Sequence, residues 1–185
     1  MKVLLHICCG PCAVSPVHIL KDEGFDVEGF FYNPNIHPYG EYVNRRQAVA
    51  QASHKLGIVT VYPAYDLDPF LKILAGLNSR KEQHFFCWRH RLEETAREAV
   101  RRGIPALSTT LLSSPYQDVE AIAAIGDDVA RPHGLEFLKR NFRKGFAEGH
   151  KISKEWQLYH QMYCGCVYSE KESLEQRRRK QGLKP

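Results

Sequence analysis

Short apolar stretches alternate along this chain with longer segments of helical periodicity, and no other feature limits the possible folds as much. "KVLLHI" at 2–7 reads as a buried strand, "AVSPVHILKDEG" at 13–24 as a helix stopped by Gly24, and "DVEGFFY" at 26–32 as a second strand. "NPNIHPYG" at 33–40 holds two prolines and a glycine and cannot be regular structure. "EYVNRRQAVAQASHKLG" at 41–57 has good helix formers ending on Gly57, and "IVTVYP" at 58–63 reads as a third strand. The alternation continues with a helix at 89–103, whose apolar stripe is Leu92, Ala96 and Ala99, a strand "ALSTT" at 106–110 and a helix at 118–134. Strands separated by helices are joined by crossovers, so the expected class is α/β, a parallel sheet with helices on both faces. The mostly polar and aromatic "EFLKRNFRKGFAEGH" follows, and the chain ends in a cysteine-bearing helical segment whose "SEKESLEQRRRKQG" reads as a solvated helix or frayed tail. With no repeats and no linker, one domain over residues 1–185 is expected, its tail fraying from about residue 170.

A chain of 185 residues can bury a core without obligatory staples, so stability does not explain its six cysteines. No apolar run approaches the roughly 18 residues that span a bilayer, so no membrane partner is expected. The few residues before the first cysteine lack the apolar core of a signal peptide, which points to the cytoplasm. Three structural disulfides are out of place in that reducing compartment, leaving metal ligation or redox chemistry. The 26 basic and 21 acidic residues give a net charge of +5, a modest preference for an anionic partner.

The thiols fall in three places: Cys8, Cys9 and Cys12 in "HICCGPC", Cys87 in "HFFC", and Cys164 with Cys166 in "YCGC". Short spacings of this kind let one loop aim two sulfurs at a single iron–sulfur or metal centre, with Gly10 and Gly165 permitting tight turns. The first group follows the first strand, where the ligand crevice of an open parallel sheet lies, and Pro11 suits a first helical turn whose N-terminus stabilises thiolates. Tetrahedral zinc competes for the same ligands, although "CC" and "CGC" are not the usual zinc knuckles.

"HICCGPC", "FYNPNIHP", "EYVNRR", "CWRHRLEETA", "STTLLSSPYQD" and "LYHQMYCGC" occur in this order, and together they resemble the epoxyqueuosine reductase QueH family over nearly the whole chain. The resemblance implies a cytoplasmic oxidoreductase with a Rossmann-like core and a cysteine-bound 4Fe-4S cluster. The substrate it implies is tRNA carrying epoxyqueuosine. The epoxide takes up two electrons and two protons and loses its oxygen as water, leaving the cyclopentene of queuosine. The family pattern places C-x-x-C before the "RLE" helix, where this chain has His84 and Cys87, and a polar or acidic residue where it has Cys12. Histidine also ligates iron and raises a cluster's potential, so an exchanged ligand is expected to preserve metal binding.

The expected cofactor ligands are Cys8, Cys9, Cys87, Cys164 and Cys166, with Cys12 and His84 added for metal; the surplus leaves room for a second mononuclear metal, iron or zinc, or for a redox-active thiol pair. His6, His160 and Tyr163 are the candidate proton donors, and Asp118 is a candidate that can equally be a helix N-terminal charge. Arg45, Arg46, Arg89, Arg91, Lys139, Arg140 and Arg143, with Phe142 interleaved, are candidates for tRNA phosphates, and Trp88, Tyr39 or Tyr116 for base stacking. The "RRRK" at 177–180 reads as a solvated helix end. An unidentified electron donor completes the scheme. Two alternatives carry the same residues: a zinc-stabilised nucleic-acid-binding module without catalysis, and an ATP-using tRNA thiolation enzyme, which the missing glycine- and serine-rich phosphate cradle disfavours.

Overall fold

Val3, Leu4 and Leu5 are fully buried in succession, with no polar alternation, as a strand covered on both faces requires. They form the centre of β1 (Lys2–His6). The remaining strands are β2 (Asp26–Phe30), β3 (Thr60–Val61), β4 (Ala106–Thr109) and β5 (Glu136–Phe137), in the all-parallel order β3-β2-β1-β4-β5. The structure, a computed structural model, describes residues 1–182; the last three positions of the expected domain lie outside these. This is the expected Rossmann-like α/β class.

Among the described residues seven α-helices connect and follow the strands: α1 (Gly10–Asp22), α2 (Tyr39–Leu56), α3 (Leu67–Ala75), α4 (Arg80–Arg101), α5 (Val119–Ala130), α6 (Phe146–Glu155) and α7 (Val167–Lys180). From β1 the chain winds outward to β3 through α1 and α2, then crosses to β4 on the other side through α4. Right-handed crossovers in opposite directions place these helices on opposite faces. In keeping with this, α1 packs on α2 and α6, while α4 packs on α5. The order reverses between β1 and β4, so the loops leaving these two strands border a crevice. The Cys8 N–H donates to Thr110 Oγ1 at 3.0 Å across it.

Several helices begin earlier than their periodicity suggests, α2 among them: it starts at Tyr39 rather than Glu41, taking in the last two residues of the stretch expected to be irregular. Helix α1 starts at Gly10 rather than Ala13, with Pro11 in its first turn and Cys9 as its cap. Helix α4 starts at Arg80 rather than Arg89, behind a capping box in which Ser79 and Glu82 satisfy each other's backbone N–H. Gly10 is therefore helical rather than a turn residue. A Cβ there would lie 2.6 Å from the Ala48 carbonyl oxygen, so its absence lets α1 approach α2. Gly10→Ala is expected to cost about 1–3 kcal/mol in urea unfolding, the usual range for overpacking. Among the described residues no helix is long and apolar enough to cross a membrane.

Candidate functional site

A cavity of about 640 Å³ opens at the reversal point. Cys8 and Cys12 reach it from the loop after β1 and the start of α1, His84 and Cys87 from α4, and Cys164 and Cys166 from the segment before α7. The Sγ atoms of Cys8, Cys9 and Cys12 all lie within 4.8 Å of one another. Cys9 and Cys12 form a disulfide with their Cα atoms 5.4 Å apart, so they can act as ligands only after reduction. Three soft sulfur donors converging from one loop suit an iron–sulfur or zinc centre.

Cysteine caps two helices here. Cys9 Sγ accepts the Cys12 N–H at 3.3 Å at the start of α1, and Cys166 Sγ accepts the Ser169 N–H at 3.4 Å at the start of α7. Cys164 and Cys166 lie 3.8 Å apart, and their acidities diverge. The Cys166 thiol is pushed down because Cys164 donates to it, with help from Ser169 and the Arg80 charge. Cys164 is pushed well up by the same hydrogen bond and by burial. Cys166 is thus the thiolate of the pair and Cys164 the thiol. Burial pushes Cys87 up against the opposing charge of Arg91, while burial and then Arg80 push His84 down, keeping its imidazole neutral and able to ligate. His84 and Cys87 are one turn apart on α4, and the histidine ring stacks on Trp88.

The "CGC" segment is clamped from behind by Arg45. This residue is only 1% exposed, and its Nη1 and Nη2 donate to the carbonyls of Cys164 and Tyr163 at 2.9 and 2.8 Å, while Nε donates to Glu41 at 2.6 Å. Arg45 therefore offers no charge to a phosphate, contrary to its expected role. Gly165 has φ +126°, and a Cβ there would meet Ile36, Asn35 and Arg45, so this glycine does serve a conformation closed to other residues. The His37 N–H donates to its carbonyl at 2.7 Å.

Other sequence candidates are placed elsewhere. His6 is fully buried between Thr109 Oγ1 and the Tyr32 carbonyl, and burial, then Arg91, lower it to about 3, so it is a neutral packed residue rather than a proton donor. Asp118 caps α5 by accepting the Ala121 N–H at 3.0 Å and is absent from the cavity lining. His160 bonds Ser153 at 3.1 Å, beside the ring of His150, which does line the cavity. Tyr163 lines the cavity, donates to the His37 carbonyl and is raised to about 12, first by burial.

Among the cations, Arg91 is buried and bonds the Cys87 carbonyl, Arg89 pairs with Asp128, Lys139 with Glu120 and Arg140 with Glu23. Arg46 lies over the Tyr62 ring, and Arg143 bonds the Ser114 and Gln117 carbonyls at the rim. Phe142 is core rather than a stacking surface, and Trp88 is buried with its indole N–H on Gln117. Tyr39 is exposed, and Tyr116, 90% exposed, stands at the rim.

Sequence reasoning missed Gln161, whose Nε2 donates to Cys9 Sγ at 3.0 Å, and Arg80, whose charge faces Cys166. Gln161 lies inside the quoted "LYHQMYCGC", and Arg80 stands inside the capping box, directly after Ser79. Gln161 Oε1 and Asn35 Oδ1 are buried without a partner among the described residues, which fits a cavity that receives a polar ligand.

The family model described as epoxyqueuosine reductase QueH matches residues 3–172, a span that contains all six cysteines and His84. The chain belongs to that family. It is 37% identical over 175 residues to the epoxyqueuosine reductase QueH of Thermotoga maritima, covering 90% of this chain and 89% of that protein. The QueH protein of Dehalococcoides mccartyi is 34% identical over 173 residues, with 92% and 93% covered. A crystal structure described as a predicted subunit of tRNA methyltransferase from Methanocaldococcus jannaschii is similar in fold, with a TM-score of 0.56 at 12% identity, covering all of this chain and 90% of that one. The QueH family is one of oxidoreductases, so membership makes this chain an enzyme and sets aside the non-catalytic zinc module.

Proposed function

We propose that the protein reduces the epoxide of epoxyqueuosine in tRNA to the alkene of queuosine, releasing water, in the cytoplasm and as a single domain over residues 1–185. The observation that carries this reading is family membership across a span in which five of the six cysteines and His84 line one cavity, with Cys9 buried beside Cys8 and Cys12. Cys8, Cys9, His84 and Cys87 are the ligands for a 4Fe-4S cluster: His84 and Cys87 share a helix face, and the reduced loop offers Cys8 and Cys9 together. Such a cluster, when bound, supplies electrons at a potential set by its ligands and hydrogen bonds.

The Cys164 and Cys166 pair matches the electron count of the reaction. Their oxidation to a disulfide releases the two electrons the epoxide takes up and, with Cys166 already a thiolate, the one proton of Cys164; the second proton needed to release the oxygen as water comes from solvent. A separate electron donor then restores the pair. Cys164 and Tyr163 both hold their protons at neutral pH at the cavity wall, spent on Cys166 and the His37 carbonyl, so either proton reaches the departing oxygen only by leaving that acceptor. Cys12, outside the cluster set, faces the same cavity as this pair, and this favours a second reading in which the three hold a second mononuclear metal, iron or zinc.

The test is anaerobic reconstitution followed by conversion of epoxyqueuosine-containing tRNA. The wild type is expected to bind iron and sulfide and to form queuosine; full structure with stoichiometric zinc and no electron uptake would sink the reading. His84→Ala is expected to lose iron. His84→Cys is expected to keep the cluster and to lower its reduction potential, because thiolate replaces imidazole, as read by spectroelectrochemistry.

A further inference from the structure

Charge is distributed unevenly along the chain. Up to Arg140 it holds 16 basic and 16 acidic residues; beyond that point it holds 10 basic and 5 acidic, so the whole net charge of +5 belongs to the last 45 positions. The same stretch builds one wall of the cavity, with Phe146 and His150 from α6, and Tyr168 and Gln176 from α7. Earlier arginines and lysines are largely neutralised by partners, as Arg89, Lys139 and Arg140 are. Lys154, Arg179 and Lys180 are exposed and make no ion pair among the described residues.

Helical geometry places these three toward the cavity. The α7 residues lining it are Tyr168, Ser169, Glu172, Ser173 and Gln176, at steps of three and four, and the next positions on that stripe are Arg179 and Lys180. Arg178 instead lies with Lys171 and Leu174 on another face. On α6, Lys154 continues the line of Phe146 and His150 at spacing four. The family match ends at residue 172, so Arg179 and Lys180 extend the helix beyond it.

We propose that Lys154, Arg179 and Lys180 are the phosphate-contacting surface for RNA at the cavity mouth, setting the strand so that one extruded nucleoside enters. This rests on the reading of tRNA as substrate. RNA is favoured over an acidic protein because the charges border a cavity in the size range of small-molecule sites, rimmed by the exposed Tyr116, rather than a broad apolar patch.

The probe is an RNA hairpin with an anticodon-arm sequence and an unmodified wobble guanosine, its dissociation constant followed by fluorescence anisotropy across a KCl series. The triple variant Lys154→Gln, Arg179→Gln, Lys180→Gln, with circular dichroism matching wild type, is expected to bind roughly tenfold or more weakly. Its log–log salt slope should flatten by about 2, since each single-strand phosphate contact contributes about 0.7. Arg178→Gln and Arg89→Gln are expected to bind as wild type does. If the wild type binds and the triple variant matches it in affinity and slope, the inference is overturned and the surface falls to an acidic protein partner. Equal losses in Arg178→Gln and Arg89→Gln would overturn it as well, by showing that location does not matter. A wild type that binds no hairpin at any salt concentration would instead overturn the tRNA reading beneath it.

Discussion

Cys9→Ser is expected to fold as the wild type does and to lose both bound iron and activity. Cys9 is fully buried and caps α1 by accepting the Cys12 N–H at 3.3 Å. Serine is among the preferred N-caps, so the hydroxyl keeps this hydrogen bond, whereas alanine would give up about 1 kcal/mol with it. What serine cannot supply is a soft thiolate, since its hydroxyl stays protonated at neutral pH. Altering only the outer partners of a metal site costs about 10–100-fold, so losing a ligand should cost at least about 100-fold in epoxide reduction. Iron and sulfide analysis, visible absorbance and single-turnover conversion of the tRNA measure this, with urea unfolding of the reduced, metal-free forms agreeing within about 1 kcal/mol. A variant that kept its iron yet lost activity would move Cys9 from the ligand set to the redox partnership it forms with Cys12.

The sheet was legible because its strands are bounded by residues with local meaning: β1 is a run of apolar residues, and Gly24 and Gly57 close the helices that follow β1 and β2 at positive φ. β5 was not, since two residues carry no period, and its Phe137 is fixed by packing on α5, where Gly126 leaves space for the ring. The thiols were legible as a group because three of them occupy one loop. Their division of labour was not, because it depends on neighbours far along the chain: Gln161 reaches Cys9 across 152 positions, and Thr110 reaches Cys8 across 102. His6 shows the converse. Its place beside the cysteine loop suggested chemistry, but the alternation of a strand points its side chain away from the crevice and into Thr109 and Tyr32.

Arg45 carried the most misleading signal, and its replacement has the second large expected effect. In "EYVNRR" it reads as one of two adjacent surface cations, yet its fork is spent on carbonyls 118 and 119 positions away. Arg45→Met keeps much of the side-chain length and apolar bulk but leaves the Glu41 carboxylate buried with only the Tyr159 hydroxyl, and leaves the Tyr163 and Cys164 carbonyls without these donors. Removing one partner of a buried ion pair costs about 3–5 kcal/mol, which is a large fraction of the stability of a domain this size. Arg45→Lys restores the charge as a single ammonium without the planar fork, so it should recover only part of that loss. The local consequence separates a clamp from a mere stabiliser. With the fork gone, the segment holding Cys164 and Cys166 loosens, and both thiols should alkylate faster under native conditions while the half-buried Cys87, held on α4, does not. Faster alkylation of all three alike would mean global opening, and unchanged rates with lowered stability would confine Arg45 to the support of α2.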